Sequence, residues 1–193
     1  MNMKYCASFA HKVPLLITFI FSLCTLPASA DKDLHRESLS KEGQQISDMS
    51  LEQAKLLIEE GRDLETIPKG VWKQILTPKQ FNILWEEGTE RPFTGSLLKN
   101  KQKGTYVTAG CKLPVFHSSQ KYKSGTGWPS FWEMHKADNI VLEDDWSWMG
   151  KRTEVLSACG EHLGHVFSDG PKPTGLRYCI NSEALLFIPD EKP

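Results

Sequence analysis

A chain of 193 residues, 39% hydrophobic and 24% charged, describes an ordinary globular protein with one main domain. Its formal net charge of -1 leaves no electrostatic footprint for nucleic acid or an anionic membrane, so single Lys and Arg residues read as solvated surface.

The first thirty residues stand apart from the fold. Lys4, His11 and Lys12 precede an apolar run from Val13 to Leu26, and Pro27-Ala28-Ser29-Ala30 ends in an A-x-A pattern before Asp31. This is the layout of a secretory signal peptide over residues 1–30, and it predicts an exported protein, periplasmic or secreted, with no membrane contact after cleavage. An uncleaved anchor is the competing reading, but the run is short for a transmembrane helix. Cys24 follows Phe21-Ser-Leu and lacks the small residue that lipid attachment requires. Cleavage removes Cys6 and Cys24 and leaves Cys111, Cys159 and Cys179 where disulfides are permitted. An odd number allows one pair and one free thiol.

Residues 31–48 are polar and charged, a flexible leader before a domain spanning 49–193. Ser50-Leu-Glu-Gln53 has the form of a capping box, with Leu51, Ala54, Leu57 and Ile58 at helical spacing until Gly61. A second helix is predicted over Lys69 to Leu76. A third starts at Thr77-Pro78-Lys-Gln80, with Pro at its first position, and stops at Gly88. The aromatic residues of these helices read as core. From Arg91 the chain turns to short β-like runs: 104–108, 115–117, 140–142, 152–156, 162–167, 176–182 and 184–188. The predicted class is therefore mainly β: two antiparallel sheets forming a small barrel-like domain, with short N-terminal helices. Between the early runs, Lys123-Ser-Gly-Thr-Gly-Trp128-Pro-Ser-Phe131-Trp132 places aromatic residues on a Gly/Pro-shaped loop. They suit an apolar pocket wall or, equally, core packing.

The chemistry concentrates in Cys159 to Ser182. A strand from Leu176 alternates its faces, which puts Arg177, Cys179 and Asn181 on one side, so a cation and an amide flank a thiol. A nearby positive charge favours the thiolate, the form that attacks electrophiles; the bland reading of Cys179 is a small buried hydrophobe. His162 and His165 are spaced to face opposite ways on a regular strand. A bulge at the intervening Gly164 would bring both rings to the thiol side. Asp169 could then orient one ring and raise its pKa. Two core or surface histidines are the commoner outcome of H-x-x-H.

Three blocks, Ser124-Gly-Thr-Gly-Trp-Pro-Ser-Phe131, His162-Leu-Gly-His-Val-Phe167 with Asp169-Gly-Pro171, and Arg177-Tyr-Cys-Ile-Asn-Ser182, resemble the B-type peptide-methionine (R)-S-oxide reductases. The resemblance covers about residues 77–189. It implies two antiparallel sheets with flanking helices, an oxidoreductase acting on the R epimer of methionine sulfoxide in oxidised protein or peptide, and repair of oxidised exported proteins. It makes Cys179 the nucleophile and His165 the acid. His162, Asp169, Arg177 and Asn181 assist, and Trp128, with Phe131 and Phe167, receives the substrate. The chain departs from the family twice. Thr126 stands where many members carry a resolving Cys, which predicts an external, thioredoxin-like thiol reductant. Zinc-binding members have two C-x-x-C pairs where this chain reads Thr108-Ala-Gly-Cys111 and Leu156-Ser-Ala-Cys159. Two thiolates cannot satisfy tetrahedral zinc, so the zinc site is predicted lost, no cofactor is expected, and Cys111 and Cys159 are predicted to form a disulfide.

Two other readings compete. Cys179, His165 and Asn181 could form a thiol hydrolase. Cys111, Cys159, His162 and His165 could hold zinc in a secreted binding module. Neither uses Trp128, Asp169 and Arg177.

Overall fold

The computed structural model describes residues 49–147 and 150–191; the expected signal segment, 1–30, and leader, 31–48, lie outside the described residues. Three short helices come first. In α1 (Leu51–Glu60) the Ser50 side chain accepts the Gln53 N–H while the Gln53 side chain accepts the Ser50 N–H, and Gly61 closes the helix in the left-handed region. α2 (Lys69–Ile75) starts after Pro68. α3 (Pro78–Glu86) repeats the reciprocal cap with Thr77 and Gln80. Glu87 takes the left-handed turn at φ 54°, one residue before the Gly88 at which the sequence placed the stop. Trp72 of α2 is fully buried and stacks on Trp85 of α3 at 5.5 Å, which makes these aromatic residues core, as predicted.

Nine strands follow: β1 (Gly104–Thr108), β2 (Pro114–His117), β3 (Lys121–Tyr122), β4 (Ser130–Phe131), β5 (Ile140–Ser147), β6 (Gly150–Ser157), β7 (His162–Phe167), β8 (Arg177–Ile180) and β9 (Leu185–Pro189). They form two antiparallel sheets, ordered β2-β1-β9 and β3-β4-β8-β7-β6-β5. The predicted class stands, but the described strands do not close into a barrel: each sheet keeps two outer strands. Aromatic rings fill the space between the sheets instead. Phe116 of β2 stacks on Phe131 of β4 at 4.4 Å, and Tyr106 of β1 meets Phe131 edge-on at 5.0 Å. Rings of this size bury the most apolar area per residue and hold two sheets at core spacing.

The larger sheet departs from expectation at one hairpin. The sequence ended the fifth strand at Leu142, because Glu143-Asp144-Asp145 has low β propensity. In the fold β5 continues to Ser147, paired residue for residue with β6 from Ile140↔Ser157 to Ser147↔Gly150. Ladder pairing overrides the local preference, setting Asp145 opposite Arg152 of β6, the strand beside β7.

Candidate active site

Register assembles the site. On the central strand β8, Cys179 lies opposite Ser130 of β4 on one side and opposite His165 of β7 on the other. Alternation sends the neighbouring Tyr178 to the buried face, where it is 2% exposed. The free thiol of Cys179 and the His165 ring thus share one wall of a cleft of about 150 Å³, lined also by Thr89, Trp128, Arg152, Gly164, Phe167 and Asn181.

A bulge brings the two histidine rings together, but only His165 reaches the cleft that both were expected to face. Val155 pairs with Gly164 but the next residue, Leu156, pairs with His162, so Leu163 is the extra residue on β7. The bulge brings the two rings to 5.5 Å, edge to face. Gly164 permits it: a Cβ there would sit 2.1 Å from the Cys179 carbonyl oxygen. Asn181 pins the bulge, because its backbone N–H and its side-chain amide both donate to the Leu163 carbonyl, at 3.0 and 3.1 Å. The Asn181 Oδ1 accepts from Glu90 N–H at 3.1 Å.

Each ring has a carboxylate, though not the expected one. His162 is 3% exposed, lies behind the cleft lining, and donates through Nδ1 to Glu154 at 2.5 Å. His165 Nε2 donates to Asp145 at 3.0 Å. Asp169 forms a fork with Arg177 instead, accepting from Nε at 2.8 Å and Nη2 at 2.9 Å. The predicted pKa rise is therefore corrected: burial holds the His165 ring below the usual histidine value, the Asp145 hydrogen bond opposes this in part, and Arg152 and His162 push the same way as burial.

The thiol is corrected likewise. Burial raises Cys179 above the ordinary thiol value and outweighs the hydrogen bond from Thr126 and the attraction of Arg177. Arg177 is itself held against Asp169, and its guanidinium lies 4.3 Å from the Phe167 ring centroid, so its charge is shared among three partners.

The opposite wall is the loop before β4. Ser124 hydrogen-bonds Thr126 at 2.9 Å and Ser130 at 2.7 Å, which sets the Thr126 hydroxyl 3.9 Å from Cys179 Sγ. Gly127 presses on Pro92 and Phe93 with φ 101°, and the Trp128 indole donates to the Glu90 carbonyl at 3.1 Å. Trp128 and Phe167 line the cleft as expected, and Trp132 does not. Phe131 is corrected: it is fully buried against Phe116 and Tyr106 and is not among the residues lining the cleft. The two-residue strand β4 puts Ser130 on the cleft face, so Phe131 must face the core.

Sequence reasoning missed Asp145, Arg152, Glu154, Glu90 and Thr89. The first three become neighbours of the rings only through the β5–β6–β7 register. Glu90 accepts backbone N–H bonds from Ser182 at 2.8 Å and Glu183 at 3.1 Å, and its main chain holds both Trp128 and Asn181.

Far from this thiol in character, Cys111 and Cys159 form a disulfide with Cα atoms 6.8 Å apart. The fully buried Glu161 lies beside it, its Oε2 3.3 Å from Cys159 Sγ and its Oε1 accepting from Gly110 and Cys111 N–H. Burial pushes the Glu161 carboxyl above the usual carboxylate range, against the hydrogen bonds it accepts. One ligand atom each from Cys111, Cys159 and Glu161 fall within 4.8 Å of one another. With the two sulfurs bonded to each other there is no thiolate to offer, and this donor set does not fit a tetrahedral thiolate zinc site. The competing zinc module is not assembled either, because His162 and His165 are engaged by Glu154 and Asp145. Asn181 does not stand behind His165 as the thiol hydrolase reading required, because it bonds Leu163 and Glu90.

A single cysteine thiol, a half-buried histidine across a strand pair and an indole in the cleft lining define a thiol-based oxidoreductase site on a two-sheet fold. Residues 76–189 match the family model described as the SelR domain. The chain is 54% identical over 121 residues to the peptide methionine sulfoxide reductase MsrB of Methanosarcina mazei, an alignment that spans 62% of this chain and 86% of that one. It is 56% identical over 117 residues to the protein of the same name from Leptospira interrogans, across 60% of this chain and 89% of that one. The corresponding protein of Agrobacterium fabrum is 50% identical over 119 residues, across 61% and 88%. The chain belongs to the SelR domain family of B-type methionine sulfoxide reductases.

Proposed function

We propose that this protein reduces the R epimer of peptide-bound methionine sulfoxide to methionine, with Cys179 as nucleophile and His165 as the group that moves the proton. The observation that carries this reading is the direct pairing of Cys179 with His165 in a cleft whose facing wall is Trp128. A sulfoxide sulfur is a poor electrophile until its oxygen gains a proton. The thiolate attacks that sulfur, the oxygen passes to Cys179 with a proton, methionine leaves as the two-electron-reduced product, and the cysteine becomes a sulfenic acid. Trp128 and Phe167 give the methyl group an apolar seat, and Arg177 and Thr126 favour charge on the sulfur.

Both reacting groups are displaced toward their uncharged forms. At neutral pH the free site therefore holds a thiol and a neutral ring. The thiolate–imidazolium pair carries the same number of protons, so its fraction stays constant between the two titrations. A broad plateau in kcat/KM follows, bounded below by the lowered His165 and above by the raised Cys179.

The sulfenic acid needs a thiol from outside. Thr126 offers a hydroxyl where a resolving sulfur would stand, and Cys111 and Cys159 are bonded to each other and buried. A thioredoxin-like dithiol would form a mixed disulfide with release of water, then free Cys179. The Cys111–Cys159 bond takes the structural place of zinc, and no metal is required for activity. Export to the periplasm or beyond rests on residues 1–30, and a buried structural disulfide is what an oxidising compartment favours. Repair of oxidised exported proteins is the role this assigns.

The test is a stereochemically resolved assay with a thiol reductant and separate R and S epimers of a peptide methionine sulfoxide. Methionine from R alone, absent in Cys179→Ser, is expected. Product from S, or turnover that survives the substitution, refutes the reading.

A further inference from the structure

We propose that Asp145 is the positioning residue that fits His165 for proton transfer, one oxygen of its carboxylate joining the ring to the Arg152 guanidinium on the cleft wall. The inference deepens the reading of His165 given above and rests on it. Asp145 Oδ2 accepts from His165 Nε2 at 3.0 Å and from Arg152 Nη2 at 2.5 Å. Asp145 and Arg152 are cross-strand partners near the turn end of the β5–β6 hairpin, and Arg152 lines the cleft. A ring whose Nε2–H is committed to a carboxylate has Nδ1 as its other proton site, so the carboxylate fixes both the tautomer and the ring plane.

The consequence for chemistry is directional. When the thiol proton moves to Nδ1, the resulting imidazolium stands against a carboxylate already in hydrogen-bond contact, and the ion pair with the Cys179 thiolate gains the stabilisation that burial withholds. Arg152 works against this, because it shares the same oxygen and adds a like charge near the ring. The other charged groups around His165 are quieter. His162 on β7 is paired with Glu154 of β6, Arg177 on β8 is held by Asp169, and the Glu90 carboxylate is occupied by the Ser182 and Glu183 amides. Asp145 and Arg152 are thus an opposed pair acting on one ring, and their removal should move it in opposite directions.

The experiment combines an NMR titration of the His165 ring in the purified protein, assigned against His165→Gln, with the pH profile of sulfoxide reduction. Asp145→Asn is expected to lower the ring's titration midpoint and to reduce kcat by ~10-fold or more, within the range of positioned acid–base catalysis, at unchanged KM. The rate of Cys179 alkylation near neutral pH should fall together with kcat, since both draw on the thiolate–imidazolium pair. Asp145→Glu should recover part of the loss, and Arg152→Gln should raise the midpoint. An unmoved midpoint in Asp145→Asn overturns the proposal. So does a rise in KM alongside the loss in kcat, which marks a loosened hairpin. Midpoints that move as expected in a protein without sulfoxide turnover support the pairing and overturn the assigned reaction.

Discussion

The protein keeps sulfur in two surroundings that share a short polypeptide and little else. In the corner joining the turn after β1 to the turn after β6, Cys111 and Cys159 are 2% and 6% exposed, bonded to each other, and backed by a buried carboxyl whose charged form burial disfavours. In the cleft, Cys179 is half-buried and free, with a hydroxyl, a guanidinium and an imidazole around it. Burial opposes charge in both places. The cleft differs in having donors aimed at the sulfur and an open side, so charge can form there when a substrate brings the missing stabilisation. Reactivity is decided by access and partners rather than by the presence of a thiol.

Separating the two sites by substitution gives the largest contrast. Cys179→Ser should remove turnover entirely and leave the thermal midpoint within a few degrees. The double change Cys111→Ser and Cys159→Ser should do the reverse: activity at low temperature retained, with a loss of about 4 kcal/mol in denaturant unfolding for a cross-link of this span. Equal loss of activity in both variants would erase the distinction. Thiol counting in the denatured, unreduced chain beginning at Asp31 should give one free group; three would mean that the corner is reduced.

Thr126→Cys blurs the comparison from the other side, by placing a second sulfur where a hydroxyl now lies 3.9 Å from Cys179. After one turnover without reductant, this variant should show a new disulfide and no sulfenic acid, while the unmodified protein should show sulfenic acid trapped by dimedone. The smallest expected effect is electrostatic. Arg177 lowers the Cys179 titration, so Arg177→Met should move the pH midpoint of iodoacetamide reaction further up; a downward move would show that the cation does not act on the thiol.

The two regions were also unequally readable. Cys179, His165, Gly164 and Trp128 were legible because each lies in a short block whose residue types state their own constraint: a glycine inside a strand, a cation beside a thiol, an indole on a turn. The disulfide was legible through the resemblance alone. Asp145, Glu154 and Arg152 were not, because their meaning lies in which residues face them across two strand pairings, and no local pattern fixes a register between β5 and β7. The polar run Glu143 to Asp145 even argued for a loop. Phe131 failed for a related reason: a loop aromatic and a core aromatic look the same until the pairing Ser130↔Cys179 decides which face each residue takes.

Glu90 sets the timing of assembly. Its partners Asn181, Ser182 and Glu183 lie 91 to 93 residues further along the chain, and its carbonyl also fixes Trp128. As the polypeptide is made from its N-terminus, the helices and the first sheet strands β1 and β2 emerge well before these contacts exist. Closing so long a loop is entropically costly and comes late. Until it closes, the indole, the bulge and the Cys179 thiol have no common frame, and a half-emerged chain has no complete cleft.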